Sequence, residues 1–209
     1  MTTRSLRQRT AMGAAVGLIA TIAYRSIQYV SVARAAIRQD CWTWQRLPFH
    51  AAWIWPYLSM FLLVGLPWFM LSTLRQVQRF AVCLLATAAV GWITFMVYPT
   101  ACARPGVNGQ PAYYGLLLTL DRPNNCLPCL HSAFSVLAAW ALIQGTDTFR
   151  HIGGAALLVF WLLLICVSIV ALRQHTDVDM LAGVGLGCVS ALLFQLPPRR
   201  KTLEHVDES

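Results

Sequence analysis

The chain has 209 residues, of which 57% are hydrophobic and only 11% are charged, and its formal net charge is +8. An ordinary soluble domain carries roughly 25% charged residues, and a disordered chain has far fewer apolar ones, so the composition excludes both classes. It predicts an all-α integral membrane protein built as one bundle of helices.

Six apolar runs follow one another along the chain and predict six membrane-spanning helices within a single domain. The runs cover residues 11–24, 51–72, 79–98, 132–145, 153–172 and 177–196. The first run is short and follows three arginines, so a signal peptide cleaved near residues 33–35 is an alternative to a retained span. Six spans would place both termini on the same side of the membrane.

The basic residues of the connections indicate the orientation of the bundle. Nine of them fall on the side of the termini and seven on the other side. The nine are Arg4, Arg7, Arg9, Arg75, Arg79, Arg150, Arg199, Arg200 and Lys201. The excess predicts cytoplasmic termini, with residues 199–209 as a basic and then acidic tail. Because the arginines are scattered between apolar runs, no nucleic-acid partner is expected.

Ionisable side chains at the outer ends of the later spans form the candidate active site. His131 lies at the start of the fourth run and His175 just before the sixth. Two spans separate them, so both imidazoles emerge on the same face of the membrane, where ionisable groups are costly and point to function. Asp179 lies four residues after His175 on one helix face, and we expect it to accept a ring N–H of His175. The opposite ring nitrogen is then available as a nucleophile or base.

Three arginines on connections of the same face predict an anion site. They are Arg104, Arg122 and Arg173. A guanidinium group donates paired hydrogen bonds to phosphate oxygens, and His131 could protonate a leaving oxygen. The set predicts phosphoryl transfer through a phosphohistidine, with no metal ion and no cofactor. Two histidines and an aspartate could instead bind a metal ion, and the effect of a chelator on activity separates these alternatives.

Two motifs resemble those of the type 2 phosphatidic acid phosphatase superfamily. Residues 127–134, Leu-Pro-Cys-Leu-His-Ser-Ala-Phe, are similar to its Pro-Ser-Gly-His or Pro-Ser-Leu-His motif. Residues 173–179, Arg-Gln-His-Thr-Asp-Val-Asp, are similar to its His-x-x-x-Asp motif, and residues 104–105 resemble the Arg-Pro that ends its first motif. Residues 47–49, 57–59 and 120–125 resemble the branch that includes inositol phosphorylceramide and sphingomyelin synthases and bacterial relatives. The resemblance covers roughly residues 45–196.

The resemblance implies a lipid phosphatase or phosphotransferase that acts on a lipid phosphate or diphosphate. Together with the predicted cytoplasmic termini, this leads us to expect a plasma-membrane protein, in bacteria one of the inner membrane. Its site would lie on the extracytoplasmic face, and membrane lipids would be its other partners. By the same resemblance, His175 is the nucleophile, Asp179 its orienting partner and His131 the general acid. The expected phosphate-binding residues are Arg104, Arg173, Arg122, Cys129 and Ser132.

The chain departs from the family pattern at three positions. Val97 replaces the lysine of the first motif, Cys129 replaces a serine, and Ile169 stands where an arginine usually precedes the nucleophile. Arg173 is the proposed substitute for that arginine. Fewer hydrogen-bond donors then remain for phosphate, so a catalytically inactive, lipid-binding member of the family is an alternative.

A second alternative follows from the pair Cys126 and Cys129, which are spaced as Cys-x-x-Cys. This spacing is typical of thiol oxidoreductases, which in a membrane would pass electrons to a quinone. A structural disulfide between Cys102 and Cys126 is a simpler interpretation of the thiols on this face. Redox chemistry would leave His175, Asp179 and the arginines without a role, so we favour phosphoryl transfer.

Overall fold

The computed structural model describes residues 3–32, 37–39, 47–106 and 108–195. The alternative cleavage site at residues 33–35 and the tail at residues 199–209 lie outside the described residues. The prediction of an all-α fold is confirmed. The helices are α1 (Thr3–Val32), α2 (Ile54–Met70), α3 (Leu74–Val97), α4 (Ala112–Leu120), α5 (Leu130–Gly145), α6 (Asp147–Arg150), α7 (Ile152–Ala171) and α8 (Asp177–Gln195), and a 3-10 turn, Ala51–Trp53, precedes α2.

Five helices in the described part of the chain are long and apolar enough to cross a membrane, namely α1, α2 with its preceding turn, α3, α7 and α8. The remaining apolar run, which is the fourth along the chain, forms the shorter helix α5, which has 16 residues. Large apolar side chains such as Phe61, Ile93, Leu163 and Leu192 are more than half exposed on the outside of the bundle. An exposed apolar surface of this extent suits contact with lipid rather than water.

Two helices begin earlier than the apolar runs predict, because local capping and helix propensity extend them. Helix α3 begins at Leu74 and not near residue 79, since Thr73 and Gln76 form a reciprocal capping box at its N-terminus. Helix α1 runs from Thr3 to Val32 and includes the N-terminal arginines, which are good helix formers. Hydropathy alone does not detect either extension, because both contain basic residues.

Helix α5 lies at the centre of the bundle and packs most closely on α8. Gly183 of α8 faces the start of α5 so closely that an added Cβ would overlap the Cys129 carbonyl oxygen and Ser132 Oγ. One turn later, a Cβ at Gly187 would lie 2.7 Å from the Ala133 carbonyl oxygen. The two glycines therefore let the backbones of α5 and α8 approach each other, which brings the residues before each helix together.

A short parallel pair of strands supports the loop that leads into α5. Strand β1 (Ile37–Gln39) pairs in parallel with β2 (Thr100–Cys102). Thr100 accepts from the Asn125 N–H through its carbonyl and from the Cys126 and Leu127 N–H groups through Oγ1. The Cys129 N–H donates to the Asp179 carbonyl at 3.0 Å, so the same loop is also fixed to α8.

Candidate active site

The imidazoles of His131 and His175 are in direct contact. His131 is the second residue of α5, and His175 lies in the connection between α7 and α8. His131 Nδ1 is 3.3 Å from His175 Nε2, and His131 Nε2 is 2.7 Å from the Tyr57 hydroxyl. The structure thus brings together two histidines that are 44 positions apart, because α5 and α8 pack side by side.

The hydrogen-bond chain defines which nitrogen of each ring carries the proton. His175 Nδ1 is 3.0 Å from the Cys126 carbonyl oxygen, which can only accept, so Nδ1 carries the proton and Nε2 has a free lone pair. His131 must then donate from Nδ1 to His175 Nε2. Its own Nε2 accepts from the Tyr57 hydroxyl. The nitrogen left nucleophilic on His175 is therefore the one that faces His131.

The expected hydrogen bond from His175 to Asp179 is not formed, because the Cys126 carbonyl takes that place. Asp179 instead accepts from the Thr176 N–H at 2.9 Å, and Thr176 Oγ1 accepts from the Asp179 N–H at 3.1 Å. This is a reciprocal capping box at the start of α8. Asp179 is thus a positioning residue, which fixes the helix that follows His175 and does not contact its ring through a hydrogen bond.

Asp121, at the end of α4, connects the histidines to a guanidinium and to two other helices. Its side chain accepts from Tyr24 of α1 at 2.8 Å and lies 3.4 Å from the Tyr57 hydroxyl. Arg104 forms an ion pair with the same carboxylate at 3.3 Å and also donates to the Asp121 and Gln174 carbonyls. We call this connected set the site network: Tyr24, Tyr57, Arg104, Asp121, His131 and His175.

The electrostatics of the site favour a neutral His175 and an ionised Asp121. Burial, together with the adjacent His131, lowers the pKa of His175 to about 3. Burial acts to raise the pKa of Asp121, but Arg104 and the two histidines outweigh it and hold that pKa below its ordinary value. At neutral pH, His175 therefore presents an unprotonated nitrogen, and Asp121 carries the negative charge that balances Arg104.

Arg173 directly precedes Gln174, whose carbonyl accepts from Arg104, and it adopts a backbone conformation that is unusual for arginine. Its φ of 57° is in the left-handed region, and the Arg173 and Gln174 N–H groups bond the Val170 and Ile169 carbonyls at the end of α7. Glycine is the usual residue at this position of a helix terminus. Burial has the largest effect on the pKa of Tyr114 and raises it, while Arg104 and Arg173 both act to lower it. Arginine has a higher conformational energy than glycine in this region, so its presence here indicates a function for its side chain.

Arg122 and Ser132 are placed differently from the sequence-based expectation. Arg122 is exposed and lines a separate cavity of about 190 Å³ with Arg25, Gln28 and Tyr29. Ser132 is fully buried, and its hydroxyl lies 3.0 Å from the carbonyls of Cys129 and of Met180, inside the contact between α5 and α8. The hydroxyl of Ser132 is thus committed to helix packing rather than to phosphate.

The thiols near the site have the properties of buried cysteines and not of redox-active ones. Cys126 and Cys129 are free and fully buried, so no disulfide joins Cys126 to Cys102. Burial raises the pKa of Cys129 to about 12 and also raises the pKa of Cys126. A catalytic thiol of an oxidoreductase needs the opposite shift, towards the thiolate. These observations argue against the thiol oxidoreductase alternative.

Sequence reasoning gave no role to Tyr24 or Tyr57. Tyr24 lies on a helix whose apolar part is almost fully exposed, and Tyr57 is one of several aromatic residues in α2. Their shared signal is indirect, since both are aromatic residues with a hydroxyl group near one end of a predicted span. Contacts with the Asp121 carboxylate, and for Tyr57 also with His131, identify these two tyrosines as part of the site.

Comparisons of the chain with family models, with curated proteins and with solved structures find no match.

Proposed function

We propose that the protein is a membrane lipid phosphatase or phosphotransferase that acts on a lipid phosphate or diphosphate through a phosphohistidine intermediate. One observation carries the proposal. An unprotonated nitrogen of His175 faces a second imidazole within a buried network that includes a guanidinium. General acid, nucleophile and phosphate ligand are the three functions that phosphoryl transfer requires, and His131, His175 and Arg104 supply them.

His175 Nε2 would attack phosphorus, and the bond from phosphorus to the leaving oxygen would break. The Cys126 carbonyl holds the Nδ1–H of His175, so the ring keeps the tautomer that attack requires. The positive charge that develops on the ring during attack is then stabilised by the same carbonyl. Arg104 and Arg173 would neutralise the charge of the phosphate oxygens.

His131 would protonate the leaving oxygen. The negative charge of a bound phosphate group favours the imidazolium form of His131, which would donate from Nδ1 to the leaving oxygen and from Nε2 to Tyr57. The Tyr57 hydroxyl would then turn to the Asp121 carboxylate, 3.4 Å away. In the second step, the oxygen of water or of an alcohol would attack phosphorus, and the bond from phosphorus to His175 Nε2 would break. His131 would take the proton from the attacking oxygen. Hydrolysis and transfer differ only in that acceptor.

The two rings must separate before a phosphate group can enter. An attacking nitrogen, a phosphorus atom and a leaving oxygen hydrogen-bonded to His131 together need about 6–7 Å between the two nitrogens. The observed distance is 3.3 Å. The contact between the histidines therefore represents a closed site, and substrate binding would replace the hydrogen bond between the imidazoles with contacts to phosphate.

The polar head of a lipid substrate has a second candidate contact at the same end of the bundle. The cavity lined by Arg25, Gln28, Tyr29 and Arg122 lies next to the site network, since Tyr24 and Asp121 are the chain neighbours of two of these residues and are joined by a hydrogen bond. Two arginines at one cavity favour an anionic headgroup. The acyl or prenyl chain would remain among the apolar side chains outside the bundle.

We also propose six spans with both termini in the cytoplasm, counting α1, α2, α3, α5, α7 and α8. This topology would place the site network at the extracytoplasmic border of the membrane. The excess of basic residues on the side of the termini supports this orientation.

The experiment is a screen of lipid phosphates with the purified protein in detergent, which follows phosphate release with and without diacylglycerol or inositol as acceptor. His175→Ala should abolish release, because the nucleophile is lost. The matched control is His151→Ala, which changes an exposed histidine at the other end of α7, and it should keep the wild-type rate. EDTA should not lower the activity. Activity that EDTA abolishes and zinc restores, or a folded wild-type protein inactive on every lipid phosphate, would contradict the proposal.

A further inference from the structure

A third potential metal ligand lies beside the two contacting imidazoles. Cys129 Sγ is 4.0 Å from His131 Nδ1, which is in turn 3.3 Å from His175 Nε2. The ligand atoms of these three residues all lie within 4.8 Å of one another. Cys129 and His175 are buried, and His131 is partly exposed. A thiol and two imidazoles form a ligand set that suits a soft or borderline divalent cation such as Zn²⁺.

The spacing of the ligand atoms agrees with tetrahedral coordination. Two histidine nitrogens bound to zinc at about 2.0–2.1 Å stand about 3.3 Å apart, and a zinc-bound nitrogen and sulfur stand about 3.6 Å apart. The observed nitrogen pair is at 3.3 Å, and the nitrogen–sulfur pair is at 4.0 Å. The other nitrogen–sulfur pair lies within 4.8 Å, so binding would draw the sulfur towards both nitrogens.

The surroundings of both imidazoles supply the outer partners that metal-binding histidines normally have. A ligating histidine usually donates its other ring N–H to a carbonyl or carboxylate. The Nδ1–H of His175 already meets the Cys126 carbonyl. His131 Nε2 faces the Tyr57 hydroxyl, which lies within reach of the Asp121 carboxylate. The nitrogens that point away from the proposed cation are therefore both partnered.

We propose that Cys129, His131 and His175 form a binding site for Zn²⁺ or a similar divalent cation, with a fourth position open to solvent or to an anion. On binding, the Cys129 thiol loses its proton to solvent. The His131 proton moves from Nδ1 to Nε2, where it is donated to Tyr57, and the Tyr57 hydroxyl turns to Asp121. One proton is released for each cation bound, and no oxidation or reduction occurs.

A second group of potential ligands, Cys126, His175 and Asp179, shares His175 but fits a cation less well. One carboxylate oxygen of Asp179 already accepts from the Thr176 N–H at the start of α8. The Nδ1 of His175 is held by the Cys126 carbonyl. Binding through Nδ1 would break the contact that orients the His175 ring, whereas binding at Cys129 preserves that contact.

The consequence for activity rests on the proposed function. A cation at this site would occupy the lone pair of His175 Nε2 and hold the two rings together, so a phosphate group could not enter between them. Zn²⁺ should therefore inhibit the enzyme, and a chelator should restore the rate. The site itself does not depend on catalysis and is tested without substrate.

The test is Co²⁺ titration of the full-length, tag-free protein in detergent, because a thiolate bound to Co²⁺ gives a charge-transfer absorption in the near ultraviolet. We expect this absorption to saturate at one equivalent and to disappear when Zn²⁺ is added. Cys129→Ser should lose it, while the matched thiol control Cys126→Ser should keep it. His131→Ala should weaken Co²⁺ binding at least tenfold. Thermal unfolding identifies any variant that is not folded, and protection of Cys129 from alkylation by Zn²⁺ in the wild-type protein gives a measurement that needs no variant.

The outcomes distinguish the inference from the proposed function. Absorption that is absent from the wild-type protein, or that survives in Cys129→Ser, would overturn the metal site. Loss of absorption in Cys126→Ser but not in Cys129→Ser would assign the cation to the other group and would also overturn it. A protein that binds one Co²⁺ through Cys129 yet releases no phosphate from any lipid would retain the metal site and refute the proposed function.

Discussion

Tyr57 links the general acid proposed for the reaction to the carboxylate that balances Arg104. Its hydroxyl is 2.7 Å from His131 Nε2 and 3.4 Å from Asp121. This position lets the hydroxyl donate to either neighbour, depending on the protonation state of His131. Tyr24 donates to the same carboxylate at 2.8 Å but has no hydrogen bond to either histidine within the described residues. A variant of Tyr57 therefore tests the contact with His131, and the same change at Tyr24 is its control.

Tyr57→Phe should lower kcat by about 10- to 100-fold with little change in KM, because the imidazolium of His131 loses its partner while phosphate contacts remain. Tyr24→Phe should lower kcat much less. Steady-state kinetics of phosphate release measure both variants, and thermal unfolding in detergent verifies that both are folded. Equal losses in the two variants would show that the hydroxyl of Tyr57 has no specific role.

The ion pair of Asp121 predicts how stability changes with pH. Because the folded-state pKa of Asp121 lies below its ordinary value, the carboxylate stabilises the folded protein above a pH of about 4, and this contribution is lost as the pH falls further. The groups that face it are Arg104, Tyr24 and Tyr57, with the two histidines beyond.

Melting temperatures in detergent between pH 7 and pH 3 test this prediction. Asp121→Asn should be less stable than the wild-type protein at pH 7, since Arg104 loses its buried partner. The same variant should lose less stability than the wild-type protein between pH 5 and pH 3. Parallel pH curves for the two proteins would contradict the assignment of the ion pair.

At the scale of residues, part of the site follows from the sequence because helix order determines which ends of the spans meet. The count of spans between His131 and His175 places both on one face. The hydrogen-bond partner of His175 Nδ1 cannot be predicted from the sequence, because it is a backbone carbonyl, and every residue has one. The three-residue spacing from Thr176 to Asp179 is typical of a capping box, which is the role that Asp179 has in the structure. The sequence analysis instead paired Asp179 with His175, because a spacing of four residues also places two side chains on one helix face.

At the scale of elements, the contact between α5 and α8 determines the distance between the two imidazoles. Gly183 lies where α8 meets the Cys129 carbonyl and Ser132, and it is buried. Gly185, two residues later on the same helix, is exposed, and an added Cβ there would meet nothing within 4 Å. Close packing of α8 on α5 therefore requires glycine at position 183 but not at position 185.

Gly183→Ala should destabilise the protein by about 1–3 kcal/mol, because the new methyl group forces the helices apart. It should also reduce activity beyond the loss of folded protein, since His175 moves with α8. Gly185→Ala should be neutral or slightly stabilising, because alanine favours helix at an open position. Thermal unfolding and activity per folded molecule measure both effects. Similar behaviour of the two variants would show that the close approach at Gly183 is not needed.

Hydropathy predicts the long helices because each must present apolar side chains to lipid over about 20 residues. It does not predict α4, which has only nine residues, or the strands β1 and β2, which have three residues each. Their stability comes from contacts with distant segments, such as Phe49 packing on Tyr114 and Thr100 bonding the loop before α5. A short element of this kind has no periodicity long enough to detect.

At the scale of the whole molecule, the proposed topology makes a prediction about the two ends of the bundle. Reporter fusions in a bacterial host test it: a green fluorescent protein at the C-terminus should fluoresce, because it remains in the cytoplasm. An alkaline phosphatase inserted after residue 108, in the connection before α4, should be active, because it is exported. The opposite pattern would reverse the orientation, and activity of alkaline phosphatase at both positions would contradict the three spans, α5, α7 and α8, that the proposal places between them.

The segment from Asp121 to His131 makes hydrogen bonds at its start, in its middle and at its end, and these contacts restrict its length. Its first residue meets two helices and an arginine, its middle bonds Thr100 and His175, and its last residue belongs to the catalytic pair. Surface loops commonly tolerate inserted or deleted residues. In this segment, one inserted residue would displace every later residue from its hydrogen-bond partner. Variants with an insertion or deletion between these two positions should fail to accumulate in cells, whereas length changes in the connection after Arg104 should be accepted.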